Sequence, residues 1–178
     1  ELWLILSDDK VVSARLKKIL AARNCKAKIL RRTDIDDLPT YWIANQLDKA
    51  FETGRLSGIV YGWGTADFNA RKNIGTKKLI SFVEEKVHDM IWFGQALDEF
   101  RDQEKLPSIF VLTQNARPAD PSNDFELNGL INAPQVALAR TIGSEYQEFP
   151  LKQIDLDETA ANGTALENIL FGDLKETE

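Results

Sequence analysis

Cysteine, histidine and methionine are each present once in this chain of 178 residues. A single thiol, Cys25, excludes an internal disulfide. With one histidine, His88, the pair cannot assemble a structural zinc site, which takes several such ligands. A histidine-based metal site or catalytic dyad is short of partners for the same reason. Positive charge is in deficit: 22 Lys and Arg stand against 28 Asp and Glu, a formal net charge of -6. That balance argues against nucleic acid and anionic membrane as main partners, because both reward a basic face. No apolar run approaches the roughly 18 residues of a membrane span, and no signal-like segment opens the chain. The expected compartment is therefore the cytoplasm. Internal repeats and low-complexity tracts are absent as well. What is present is 43% hydrophobic residues, enough for one good core, so a single domain over 1–178 is expected. The chain opens at Glu1 directly before a strand and without an initiator Met, and is expected to be a segment of a longer polypeptide.

Short apolar runs alternate with helical periodicity. Leu2 to Ser7 reads as a strand buried on both faces. Val11 to Arg23 follows as a helix with Val12, Leu16, Ile19 and Leu20 inward. Lys26 to Leu30 is a second strand. A helix opened by Pro39 runs to about Thr53 and is stopped by Gly54. Gly58 to Trp63 is a third strand, followed by a loop from Gly64 to Gly75. Between Lys77 and Gln103 the apolar Ile80, Val83, Val87, Met90, Ile91, Ala96, Leu97 and Phe100 recur at three and four, with a possible break at Gly94. After Pro107 come a fourth strand, a helix from Ala133 to Tyr146, a fifth strand from Leu151 to Leu156 and a last helix from Glu158 to Leu170. Strands alternating with helices predict an α/β fold with a parallel sheet and helices on both faces, a Rossmann-like three-layer arrangement of strand order 3-2-1-4-5.

Such a sheet binds ligands beyond the carboxyl ends of its strands, and a dinucleotide needs glycines after strand one. Here that turn is Ser7-Asp8-Asp9-Lys10, with no glycine. Asp8 and Asp9 are expected to cap the helix, where they would repel a pyrophosphate. Arg31 and Arg32 stand where an NADP 2′-phosphate would be read, and without the glycine turn they are expected to be surface residues. The acidic pair also suggests a phosphorylation receiver domain, which holds magnesium with two carboxylates after its first strand. Of a receiver's other parts Thr113 is present, but the phosphoacceptor Asp after strand three and the Lys after strand five are missing. Tyr41 and Asn45 match Tyr-x-x-x-Asn, a pattern used by short-chain reductases for proton donation. They lie too early in the chain, and Ser57 and Ser81 are placed by no neighbouring motif. His88 is expected at the surface or its boundary and Cys25 as a small buried hydrophobe. Trp3, Trp42 and Trp92 are expected to pack in the core or at an interface.

The stretch from Ser108 to Asp157 is the most distinctive. Ile109-Phe110-Val111-Leu112 leads into Thr113-Gln114-Asn115-Ala116. Asn132-Ala133-Pro134-Gln135-Val136-Ala137-Leu138 continues to Ile142-Gly143-Ser144-Glu145, and the segment closes on Asp155-Leu156-Asp157. This resembles the N-terminal, non-catalytic half of the ketoreductase of modular polyketide synthases, a truncated short-chain dehydrogenase type, or a related pseudo-ketoreductase. There a strand ends in Thr-x-x-Ala, a helix reads Ala-Pro-x-Gln-x-Ala-Leu-x-x-x-x-Gly, and a short strand ends in Asp-Leu-Asp. Trp63 after strand three adds to the likeness. Leu138-Ala139-Arg140, where the family prefers Leu-Trp-Gly, and the long loop from Asn115 to Asn132 depart from it. The resemblance implies a structural subdomain that braces a catalytic copy of the fold. That second copy binds NADPH and reduces a β-keto group carried on an acyl carrier protein. It implies no catalytic, cofactor-binding or metal-binding residue in this chain, and neighbouring synthase domains as partners. The alternative is a degenerate receiver-like binding module without a phosphoacceptor.

Overall fold

A computed structural model describes residues 1–35, 38–53, 56–65, 75–116, 127–156 and 163–172, leaving the side chains of 127–130 and 163–165 aside. The elements run β1 (Leu2–Leu6), α1 (Lys10–Ala22), β2 (Lys26–Leu30), α2 (Pro39–Phe51), β3 (Leu56–Gly64), α3 (Thr76–Asp98), β4 (Ser108–Gln114), α4 (Leu127–Glu145), β5 (Leu151–Leu156) and α5 (Gly163–Phe171). A single 3-10 turn at Arg32–Asp34 follows β2. All strand pairs are parallel, and the sheet is ordered β2-β1-β3-β4-β5. The expected α/β, Rossmann-like class is what the structure shows.

The strand order corrects the expected 3-2-1-4-5: β3 lies on the far side of β1 rather than beyond β2. The cause is visible in the two strands. Every residue of β3 except Ser57 is buried, so it needs a neighbour on both sides and a helix on both faces. In β2, Lys26 and Lys28 are exposed, and lysines suit a sheet edge, where they discourage further pairing. A strand that carries lysine at alternate positions belongs at the rim.

Alternation of side chains along each strand divides the core in two. Leu4, Leu6, Ile59, Tyr61, Trp63, Ile109 and Val111 face α2, α3 and α4. Trp3, Ile5, Val60, Phe110 and Leu112 face α1 and α5. Trp3 is the largest side chain on the second face, and it lies across Gly58, its partner in the β1–β3 register. A Cβ on Gly58 would fall 2.4 Å from the Trp3 ring. Gly58→Ala is therefore expected to overpack the sheet and cost about 1–3 kcal/mol of stability, read as a lowered urea midpoint. Trp3→Leu in the same chain should recover part of it.

Two helices differ from expectation. The long helix is unbroken at Gly94, and there α4 presses Ile142 against it, 3.0 Å from where a Cβ would stand. Helix α4 starts six residues before Ala133, so Pro134 lies inside it and forfeits one backbone bond. Proline favours a helix's first turn, which is why the sequence suggested a start there. The expected beginning of the last helix, 158–162, lies outside the described residues, as do Gly54 and Asp157.

Candidate functional site

In this strand order the chain passes from β1 through α1 to β2 on one side, then returns through α2 to β3 on the other side of β1. The crevice between the carboxyl ends of β1 and β3 is thus the topological switch point, where open α/β sheets hold their ligands. What fills it can be traced residue by residue.

The turn after β1 spends its polar groups on itself. Asp9 is the N-cap of α1, and its Oδ1 accepts from the backbone N–H of Val11 at 2.8 Å and of Val12 at 3.0 Å. Ser7, fully buried, accepts from the Asp9 N–H through its Oγ. Those helix donors are the ones a pyrophosphate would use, and a carboxylate already holds them. Asp8 departs from the expected capping role. Its Oδ1 accepts from the backbone N–H of Arg32 at 2.9 Å, which ties the β1 turn to the β2 turn.

Arg32 is also corrected: its side chain is 20% exposed and sits at the centre of the crevice, not on the surface. Its Nη2 donates to the carbonyl of Trp63 at the end of β3, at 2.9 Å. Its Nη1 pairs with Glu85. Its Nε lies 3.3 Å from Asp8 Oδ2 and 3.0 Å from Asp89 Oδ2, as ion pairs without the alignment of hydrogen bonds. The guanidinium stands 5.8 Å from the centroid of the Trp63 ring. Arg31 reaches the Asp8 carbonyl through Nη1.

Helix α3 supplies two residues that the periodicity did not single out. Lys86 and Asp89, 6% and 2% exposed, share the buried face with Met90 and Phe93, while Ile80 and Ile91 point outward. Lys86 Nζ donates to the same Trp63 carbonyl that Arg32 holds. Burial pulls the Lys86 amine down to about 7, with the nearby Arg32 charge adding to the effect and Asp89 opposing it. Burial pushes Asp89 up, against the pull of Arg32 and Lys86.

Below these charges Tyr61 Oη, fully buried, accepts from Gln135 Nε2 at 3.3 Å. Desolvation raises the phenol well above its ordinary range, so it stays protonated. Gln135 comes so close to β3 that a Cβ on Gly64 would fall 2.6 Å from its Oε1. Only glycine permits that approach.

The residues of the distinctive stretch prove to hold one another. The Asp155 carboxylate accepts from Thr113 Oγ1 at 2.9 Å and from the Ala116 N–H at 3.0 Å, and Asn132 Nδ2 donates to the Gln114 carbonyl. Thr-x-x-Ala and the acid of the last strand are two halves of one clamp across β4 and β5. Thr113, the receiver-like hydroxyl, is engaged there. Tyr41 is exposed at the start of α2, whereas Ser57 lies at the opposite, amino end of the sheet, so the reductase-like letters are not brought together. His88 is exposed and stacks on Trp92 with centroids 5.7 Å apart. Cys25 is buried, its thiol raised by burial and donating to Glu1. Among the described residues, no group of three or more His, Cys, Asp or Glu is placed to hold a metal ion. No described helix is long and apolar enough to cross a membrane.

No protein-family model and no curated protein matches this chain. Solved structures do. A short-chain dehydrogenase/reductase from Vibrio parahaemolyticus superposes with a TM-score of 0.65 at 12% identity, covering 99% of this chain and 94% of that one. A short-chain dehydrogenase from Rhodopseudomonas palustris gives 0.66 at 12% identity, over 96% of this chain and 91% of that one. A GDP-L-fucose synthetase from Naegleria fowleri, bound to NADP, gives 0.54 at 12% identity, over 88% of this chain and 53% of that one. The chain has the short-chain dehydrogenase/reductase fold. A dinucleotide is the cofactor such a fold implies, and these residues do not fit its pyrophosphate: the helix donors are taken, two carboxylates face the approach, and Arg32 fills the crevice.

Proposed function

We propose that residues 1–178 form a structural subdomain of a polyketide synthase ketoreductase, within a larger multidomain chain, bracing a catalytic copy of the same fold. The observation that carries this reading is the occupied crevice: a dehydrogenase-shaped sheet whose ligand place is filled by Arg32, Lys86 and Asp89. The Asp155 clamp supports it, since the motif residues shared with the ketoreductase half spend their polar groups on joining strands. Of the five large exposed apolar residues among the described ones, Val11, Leu38, Tyr41 and Ile80 lie in the caps or first two turns of α1, α2 and α3 and offer a partner apolar surface, while Ile91 lies further along α3. NADPH and the acyl chain on its carrier protein belong, in this reading, to the catalytic half, and the assembly works in the cytoplasm.

The test is the coding sequence beyond Glu178 joined to a deletion. The following stretch, about one domain long, is expected to carry a glycine-rich dinucleotide turn. Removal of residues 1–178 from the parent polypeptide is expected to abolish soluble reductase. A parent without a reductase, or a reductase fully active after the deletion, would overturn the proposal.

One observation favours a second reading. The order 2-1-3-4-5 is also the other common doubly wound order, that of phosphorylation receivers, which suits a receiver-like binding module lacking its phosphoacceptor. Removing one outer strand from the order 3-2-1-4-5-6 and renumbering gives 2-1-3-4-5 equally well. Because a module without a phosphoacceptor takes no mass from acetyl phosphate, a parent polypeptide without any reductase domain is the outcome that would favour this second reading.

A further inference from the structure

We propose that Arg32 and Lys86 form an acid-opened latch over the β1/β3 crevice, in which protonation of Lys86 releases the end of β3 from α3. Two basic side chains converge on one oxygen, the carbonyl of Trp63: Arg32 from the turn after β2 and Lys86 from α3. Arg32 is anchored independently, through Asp8 on the β1 turn and through Glu85 and Asp89 on α3. Lys86 has no such anchor, since Trp63 O is its one hydrogen-bond acceptor among the described residues. It is therefore the weaker of the two holds.

The groups around Lys86 set the direction. Asp8 faces the cluster from the β1 turn and Arg32 from the β2 turn. Tyr61 and the Trp63 carbonyl face it from β3, Asp89, Glu85 and His88 lie on α3 itself, and Gln135 reaches it from α4. A charged amine buried here exchanges its hydration shell for one carbonyl and a neighbouring guanidinium, and the carboxylates of Asp89 and Asp8 offset only part of that loss. Burial of an ion without full compensation is costly. An exposed Lys86 keeps its proton up to about 10.5, the closed one only to about 7. Between those values the open form binds the proton that the closed form has lost. Falling pH therefore favours opening, by up to tenfold per unit. Asp89 works in the opposite sense, because burial raises its carboxyl in the closed form, which therefore takes up a proton there first.

Amide exchange at Trp63, Gly64 and Thr65 in the intact chain reads the latch, after correction for the intrinsic pH dependence of exchange. Protection of these amides is expected to fall at least tenfold between pH 9 and pH 7, and to fall ahead of Ile59 and Val60 in the middle of the strand. In Lys86→Met it is expected to stay flat, whereas His88→Gln should fall as the wild type does. A flat wild type, a fall that survives in Lys86→Met, a fall abolished by His88→Gln, or exchange of the whole strand together would each overturn the latch. Should Lys86→Met fail to fold, the Lys86 side-chain resonance of the wild type decides. A midpoint near 7 supports the latch, and one near 10 overturns it. None of these outcomes depends on the chain having a catalytic partner.

Discussion

Replacing Arg32 by Met is expected to remove about 3 kcal/mol of folding stability, because it strips the counter-charge from a carboxylate that is 2% exposed. Asp89 would keep only Lys86 nearby, and Lys86 itself gives up its proton near neutrality. Trp63 O would lose one of its two donors and Asp8 Oδ2 its ion-pair partner, although the backbone N–H of residue 32 would still bond Asp8. The cost is therefore that of an unpaired buried charge, and a second substitution exposes the cause. Asp89→Asn removes the charge while keeping the shape, so Arg32→Met with Asp89→Asn should be more stable than the sum of the single losses allows, by about 1 kcal/mol or more. Urea denaturation of the four proteins in the cycle measures this. Strict additivity would mean that Arg32 does not neutralise Asp89.

Trp63→Ala is expected to cost about 3–5 kcal/mol, the range for emptying a large buried aromatic site. The ring is wholly buried, meets Tyr61 edge-on with centroids 5.5 Å apart and lies under the Arg32 guanidinium. Trp63→Phe separates volume from chemistry. The indole Nε1–H is buried and has no hydrogen-bond partner, so its loss forfeits no bond and relieves a desolvated donor. Phenylalanine at 63 is accordingly expected to retain more than half of the stability that alanine loses. Equal losses for both would point to a hydrogen bond at Nε1.

The α/β class was legible because buried parallel strands read as unbroken apolar runs, such as Leu2 to Leu6 and Ile109 to Leu112, and the helices between them read at their own period. The strand order was signalled too, in the lysines of β2 beside the wholly apolar centre of β3. Pro134 misplaced the start of α4 because one lost backbone bond is tolerable in a helix packed on both a strand and a neighbouring helix.

The site was legible only in its absences. A glycine-free turn after β1 and the acid at position 9 were enough to foresee the engaged N-terminus of α1. Arg32 was visible by position, but its burial depends on Asp89 and Glu85, more than fifty residues away in sequence. On α3 the periodic set Ile80, Val83, Val87, Met90, Ile91, Ala96, Leu97 and Phe100 mixes two faces: Met90, Ala96, Leu97 and Phe100 are buried and Ile80 and Ile91 exposed, while the buried face also carries Lys86, Asp89 and Phe93. Two charged residues in register with core positions were the sign that could have revealed the cluster. Charged side chains are almost never fully buried unless paired, and their pairing here depends on Arg32 and Trp63, distant in sequence.

Titration calorimetry of the full chain with NADPH at pH 7.5 tests most directly whether the crevice is closed to its fold's usual ligand. With the helix donors held by Asp9 and the space held by Arg32, no saturable heat is expected up to millimolar cofactor. One-to-one binding at micromolar affinity, about -8 kcal/mol, would contradict it.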